Sequence, residues 1–314
     1  MSPFTLTRAA GAALASCLLL ATAPASAVVA GVPLFSSLYV LGDSLSDNGN
    51  VFAATFGTYP PPPYYQGRFS NGPVAVEVLA AGLGLGQGTF FDLAVGGATT
   101  GAGGSAGAGT GMLSQLAGFQ ALLGAGSASS SALYTVWGGA NDLRNGGSIA
   151  TAISNLSTIV SGLHTLGARN FLLPNLPDLG LTPEARSQAD PFPGVSFSSL
   201  STAASESFNQ QLAAAYGSLA AQWTDEHFYY FDAMGAQRAI TSGSPSNGFS
   251  NVTTACIGTA GCATALYFDA IHPTAAAHQI LGNQMLAAVP EPQSMLMLAV
   301  GLLVLLGAAR RGRA

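Results

Sequence analysis

Five short apolar runs, most of them cut off by a glycine or proline and separated by stretches with helical spacing, leave this chain few ways to fold. The runs occupy residues 38–41, 90–95, 133–137, 171–173 and 228–231, and the first four stop at Gly42, Gly96, Gly138 and Pro174. Short apolar runs bounded in this way suit buried strands. Between them, residues 113–123, 149–166 and 208–223 read as helices, and 275–288 closes the series after Pro273. The clearest is 149–166, where Ile149, Ile153, Leu156, Ile159, Val160 and Leu163 fall on one face. Strands alternating with helices imply a parallel sheet covered on both faces. No repeat and no second domain is visible in the 314 residues. The longest irregular part, 241–269, reads as a loop.

The connections carry their own punctuation. Residues 59–65 contain a run of four prolines, which forbids a central strand or helix there. Asn71 is placed to cap a helix with Pro73 in its first turn, carrying Val74, Val76, Val78 and Leu79. Residues 101–111 form a Gly/Ala/Ser tract, a flexible loop on composition. Gly103-Gly104-Ser105-Ala106-Gly107 within it fits the G-x-S-x-G elbow, but that elbow needs a strand directly before it. None is expected there, so the match reads as chance.

The two ends differ from the middle. Residues 1–27 hold Arg8, an apolar run and Ala25-Ser26-Ala27, the pattern of an export signal cut after Ala27. Leu14-Ala15-Ser16-Cys17 formally fits a lipoprotein box, yet the apolar run continues past Cys17. At the other end Pro290-Glu291-Pro292 precedes an apolar stretch, 295–309, and three arginines at 310, 311 and 313. The stretch is short for a membrane span, which needs roughly 17–25 residues, and the arginines would hold it at a membrane. A plain C-terminal anchor is one reading. The tail also resembles the PEP-CTERM sorting signal of Gram-negative bacteria. That resemblance implies recognition by sorting machinery, transient anchoring in the inner membrane through a short transmembrane helix over 290–314, and release towards the cell surface.

Residues 28–289, the expected mature domain, contain no lysine, five arginines and thirteen acidic residues, a formal charge of −8. Such a surface repels phosphate backbones and anionic lipid, so nucleic acid is not an expected partner. Two cysteines remain, Cys256 and Cys262. In an exported chain, a close pair around a glycine-containing loop reads as a disulfide, and no second ligand pair completes a zinc site. A staple there would stiffen the loop leading to Asp269.

The first apolar run ends in Gly42-Asp43-Ser44, followed by Leu45-Ser46-Asp47-Asn48-Gly49-Asn50. Ligands of open parallel sheets bind outside the carboxyl ends of the strands, so Ser44 stands where a site would be. A serine hydroxyl needs a base, itself oriented by a third group, to act as a nucleophile. Of four histidines, only His272 follows a carboxylate at close spacing in a loop before a helix, in Asp269-Ala270-Ile271-His272-Pro273. By itself Asp-x-x-His is common, and a helix-start aspartate beside a surface histidine is the better explanation of it. His164, His227 and His278 read as structural.

GDSLSDNGN at 42–50 resembles the first motif of the GDSL esterases and lipases of the SGNH hydrolase superfamily. Gly67-Arg68-Phe69-Ser70-Asn71-Gly72, Ala94-Val95-Gly96-Gly97, Gly139-Ala140-Asn141-Asp142 and Asp269-Ala270-Ile271-His272 extend the resemblance over 38–288. It implies a three-layer α/β/α sandwich on a parallel, flavodoxin-like sheet of about five strands. It also implies hydrolysis of lipid or short-chain acyl esters through an acyl-serine, with acetyl esters of surface polysaccharide as the alternative substrate and a non-catalytic surface protein as the other class. Ser44 inherits the nucleophile, His272 the base, and Asp269 its orienting acid. Ser44 and Gly97, through their backbone N–H groups, and the Asn141 amide inherit the oxyanion hole. No cofactor or metal is implied. Where many relatives have asparagine, Asp92 stands, with a structural effect expected; Asp47 and Asp142 read as turn and cap residues. Tyr64, Tyr65 or Phe69 lines an acyl-binding surface, the alternative being that these aromatics only pack on the protein surface.

Overall fold

The structure, a computed structural model, describes residues 34–289 apart from Ser246. The export signal expected over 1–27 and the short membrane helix expected in the 290–314 tail lie outside the described residues. Among the described residues, no helix is long and apolar enough to cross a membrane.

Among the described residues, nine strands and nine α-helices run in the order β1 (Leu38–Gly42), α1 (Asn50–Ala54), α2 (Ala75–Gly82), β2 (Phe90–Asp92), β3 (Gly103–Gly104), β4 (Gly107–Ala108), α3 (Met112–Leu123), β5 (Leu133–Trp137), α4 (Ala140–Arg144), α5 (Ile149–Leu166), β6 (Asn170–Pro174), α6 (Pro183–Ser187), α7 (Phe197–Gln222), β7 (His227–Phe231), α8 (Ala233–Ser242), β8 (Asn251–Ala255), β9 (Ala265–Tyr267) and α9 (Ala275–Ala288). The main sheet is parallel throughout, in the order β2-β1-β5-β6-β7. Its five strands, numbered by themselves, run 2-1-3-4-5, the flavodoxin-like order.

Strand alternation divides the core into two layers. Leu38, Val40, Leu133, Trp137 and Leu172 face α2 and α9, which supply Val76, Leu79, Leu281 and Met285. Leu41, Tyr134, Val136, Phe171 and Leu173 face α3, α5 and α7. Register adds a second element of order. Phe91, Tyr39, Tyr134, Phe171 and Phe228 stand opposite one another, one per strand. Their rings form a row across the sheet, with neighbours stacked 4.9, 5.3 and 5.4 Å apart and one tilted pair at 6.3 Å. Such cross-strand aromatic pairs hold register beyond their share of burial.

Several boundaries differ from the sequence reading, each for a local reason. The strand expected over 90–95 ends at Asp92, although the Leu93 and Val95 N–H groups still donate to Val40 and Gly42 carbonyls. The Gly/Ala/Ser tract is an ordered hairpin of β3 and β4, not a plain loop. The helix expected over 208–223 starts at Phe197, where the Ser196 hydroxyl caps the Ser199 N–H. The stretch expected to be one loop over 241–269 contains the end of α8 and the parallel pair β8–β9. Asn71 caps a helix other than the one it precedes: its side-chain oxygen accepts from Ala275 N–H at the start of α9. α2 is closed instead by Glu77, which reaches back to the Val74 N–H.

α9 begins three residues after His272 and runs 14 residues, about 21 Å at the usual rise. At its far end Val289 packs into the same cluster as Phe35, just ahead of β1.

Candidate active site

Ser44 sits in a tight turn that the end of β1 cannot avoid making. Gln115 of α3 clamps Gly42, its Oε1 accepting from the Gly42 N–H at 2.8 Å and its Nε2 donating to the Gly42 carbonyl at 2.8 Å. A side chain at Gly42 would put its Cβ 2.7 Å from the Trp137 carbonyl, so the close β1–β5 approach requires glycine. The Asp43 carbonyl then accepts from both Ser46 and Asp47 N–H groups, which turns the chain at Ser44.

Residues 269–272 bring the second half of the site. His272 Nε2 lies 2.8 Å from Ser44 Oγ, and its Nδ1 lies 2.6 Å from Asp269 Oδ2. Asp269 Oδ1 accepts from the Ile271 and His272 N–H groups at 2.9 and 2.7 Å, so the loop folds around its own carboxylate. Three neighbours from the 64–71 segment hold that loop. Tyr64 O–H donates to Asp269 Oδ2 at 2.7 Å, Ser70 O–H to the Pro273 carbonyl at 2.9 Å, and the Phe69 ring packs 5.2 Å from the His272 ring. Tyr64 and Phe69 thus brace the histidine and its acid, and Phe69 also walls the cleft. Tyr65 is partly exposed under the Arg68 guanidinium.

Three aspartates tie the opposite wall together, and two of them, Asp47 and Asp92, join it to the Ser44 turn. Asp47 is buried; its carboxylate accepts from Gly49, Asn50 and Val51 N–H groups at the start of α1 and from Gly96 N–H at 2.7 Å. Asp142 accepts from the Thr100 N–H and O–H at 2.9 and 2.7 Å. Asp92 accepts from the Asn48 N–H at 3.0 Å, which gives it the structural role expected. Asp47 and Asp142 are therefore cross-links between the Ser44, Gly97 and Asn141 segments as well as local caps. Gly97 has φ of +78°, and a Cβ there would lie 1.7 Å from Ser105 Oγ. Asn141 Nδ2 donates to the Ala98 carbonyl at 3.0 Å and faces Asp43 Oδ2 at 3.5 Å. Among the described residues, the N–H groups of Ser44 and Gly97 have no protein acceptor. Ser44, Gly97, Asn141 and His272 line one open cleft of about 520 Å³.

Burial would raise the Asp269 carboxyl, but the hydrogen bond and charge of His272, with the Ile271 N–H and Tyr64 O–H, bring it down to about 2. Asp43 goes the other way: burial pushes it up to about 6, only partly offset by the Leu45 N–H and His272. Burial also raises Asp47, and raises Asp92 further. Asp43 therefore keeps its proton in the fold at pH values where the unfolded chain, near 3.8, has lost it. Stability from this group falls as pH rises from about 4 through 6, by about 3 kcal/mol once both states are ionised. Asp43→Asn is expected to remove that dependence. Thermal unfolding at pH 4.5 and 7.5 should show the variant gaining on wild type at the higher pH; an equal difference at both values contradicts it.

Cys256 and Cys262 are joined by a disulfide. Its loop docks directly beside the site, since Cys256 N–H is shared by the Tyr267 and Phe268 carbonyls and Ile257 N–H donates to Phe268. Ser105 stands at the turn of the β3–β4 hairpin, not at a strand-to-helix elbow. His164 pairs with Glu226 at 2.7 Å and stacks on Trp223, far along the sheet. His278 is fully buried in α9, accepts from Ala75 N–H, and is pulled down to about 3 by burial and by His272. Among the described residues, no group of three or more His, Cys, Asp or Glu side chains could hold a metal ion.

Residues 38–285 match the family model described as GDSL-like Lipase/Acylhydrolase, and residues 288–313 the PEP-CTERM protein-sorting motif. The phosphatidylcholine-sterol acyltransferase of Aeromonas hydrophila is 35% identical over 176 residues, 50% of this chain and 49% of that protein. The thermolabile hemolysin of Vibrio parahaemolyticus is 27% identical over 281 residues, 80% of this chain and 63% of that protein. The chain thus spans less than two thirds of the length of these curated relatives. Among solved structures, a member of the lipolytic protein G-D-S-L family from Veillonella parvula superposes with a TM-score of 0.45 at 12% identity, covering 80% of this chain and 96% of that one.

Proposed function

Because the chain belongs to the GDSL-like lipase/acylhydrolase family and is a hydrolase, we propose that it cleaves carboxylic esters through an acyl-serine formed on Ser44. The observation that carries the reading is the line from Ser44 Oγ through His272 to Asp269, at 2.8 and 2.6 Å. His272 Nδ1–H donates to Asp269, which leaves Nε2 free to accept the Ser44 proton as Oγ attacks the ester carbonyl. The oxyanion that forms takes hydrogen bonds from the Ser44 and Gly97 N–H groups and from Asn141 Nδ2. Collapse breaks the ester C–O bond, and His272 returns its proton to the departing alcohol. Water then attacks the acyl-serine by the same route and frees the acid. No step needs a cofactor.

The PEP-CTERM motif, with the export-signal pattern read over 1–27, supports delivery through the sorting system of Gram-negative bacteria. In this reading the 28–289 domain acts at the cell surface or outside, and the tail anchors it at the inner membrane until sorting machinery processes it. A fluorophosphonate tests the nucleophile directly. The wild type should gain one phosphonyl group by intact mass, on the peptide containing Ser44, and should lose p-nitrophenyl acetate hydrolysis in step. Ser44→Ala should gain none. Labelling at any other serine, Ser105 included, would sink the assignment.

A further inference from the structure

Two spaces of very different size and chemistry meet at Ser44. One is the open cleft of about 520 Å³, whose wall includes Thr55, Ser105, Arg144 and Asn145. The other is a cavity of only about 50 Å³ that runs from Ser44 and His272 inwards, lined by Leu45, Trp137, Leu179, Ile240, Leu266 and Leu281. Its inner end is closed by packed core, since Ile240, Leu266 and Leu281 are all buried. A cavity of ~150 Å³ takes the six carbons of benzene, so one a third that size takes about two. Adding the carbonyl carbon and its neighbour at the mouth brings the acyl group to about four.

We propose that the small cavity is the acyl site and sets an upper limit near butyryl, while the open cleft receives a bulky, polar alcohol such as an acylated sugar. The inference rests on the reading of Ser44 as nucleophile and selects among its substrates. His272 lines both spaces, so the same Nε2 that takes the Ser44 proton can hand it to an alcohol leaving through the cleft. The Ser44 Oγ–acyl carbon bond forms, the ester C–O bond breaks, and water later releases a short carboxylic acid. An acyl chain longer than the cavity has two choices. It must displace packed core side chains, or lie in the cleft and compete with the alcohol for that space.

The test is a chain-length series on the purified full chain with p-nitrophenyl acetate, butyrate and octanoate, and acetate release from glucose pentaacetate. The expected result is ready cleavage of acetate and butyrate, octanoate lower in kcat/KM by at least ~10-fold, and turnover of the acetylated sugar. Ile240→Ala, which hollows the floor of the cavity, should raise the octanoate-to-acetate ratio of kcat/KM about 10-fold. That ratio comes from one preparation, so it does not depend on how much of the variant folds; Leu281→Ala repeats the test from another wall. Octanoate equal to butyrate in the wild type, or an unmoved ratio in both variants, overturns the acyl-site assignment while ester hydrolysis stands. No turnover of any ester and no phosphonyl label on Ser44 overturns the hydrolase reading itself.

Discussion

Replacing Asp269 by asparagine is expected to lower kcat for p-nitrophenyl acetate about 10⁴-fold with little change in KM, the loss typical when a triad acid becomes an amide. The carboxylate does three jobs that an amide cannot do together. Its Oδ2 accepts from His272 Nδ1 and from Tyr64 O–H, while Oδ1 accepts from the Ile271 and His272 N–H groups. All four partners are donors. An asparagine keeps one acceptor oxygen, and the two backbone N–H groups claim it because they are fixed by the turn. Its NH₂ then faces His272 Nδ1, which must accept rather than donate, and the proton moves to Nε2, where the Ser44 hydroxyl needs a lone pair. The fold should survive, since the turn keeps its two backbone bonds. Steady-state kinetics beside a thermal melt separate the two effects: a variant that melts like wild type yet retains more than a tenth of its rate would show that Asp269 does not serve His272.

The part of this site that could be read from residues alone is the part built from neighbours in sequence. Ser44 follows an apolar strand by two residues, and Asp269 and His272 share one turn before a helix, so local pattern marked them as candidates and the family resemblance supplied their roles. Gly97 and Asn141 likewise follow β2 and β5. What escaped is reached across space. Gln115 holds Gly42 from a helix 73 residues away, and Tyr64 holds Asp269 from 205 residues away; nothing local distinguishes either from an ordinary polar or aromatic residue. The missed elements share another cause. The first turns of α7, rich in Ser, Thr and Ala, show no apolar stripe and are held by polar contacts, with Thr202 donating to Asp178 and Ser205 accepting from Leu179 N–H. α8 does carry a buried face, with Ala233, Met234, Ala236 and Ile240 at helical spacing and the Asp232 cap on Gly235 N–H at its start, but that face is made largely of alanines and does not stand out as an apolar run. β8, Asn-Val-Thr-Thr-Ala, buries too little for its period to stand out.

Asn141→Ala should cost about 10²–10³ in kcat, the usual loss of one oxyanion donor, and leave KM near wild type because the bond matters only once charge has developed on the substrate oxygen. The geometry makes this donor unusually well aimed. Arg144 Nη1 donates to Asn141 Oδ1 at 3.4 Å, and Arg144 is itself gripped by Glu184 at 2.6 Å, which turns the amide NH₂ towards Ala98 and the Gly97 loop. One Nδ2 hydrogen is spent on the Ala98 carbonyl; the other has only Asp43 at 3.5 Å, a poor bond, and is the one free for an oxyanion. Asp43 complicates the outcome in a way that can be measured. Its carboxyl, raised to about 6 by burial, ionises in the working range of an esterase, and an ionised Asp43 competes for that hydrogen and repels the oxyanion. In the wild type the competition should therefore weaken the donor as pH passes 6, whereas in Asn141→Ala only the repulsion of the oxyanion remains, which is common to both enzymes and cancels in their ratio. The ratio of wild-type to variant kcat should accordingly be largest below pH 6 and shrink above it. A ratio constant from pH 5 to 8 would mean that Asp43 does not reach the oxyanion donor, and a ratio near one throughout would mean that Asn141 is no donor at all.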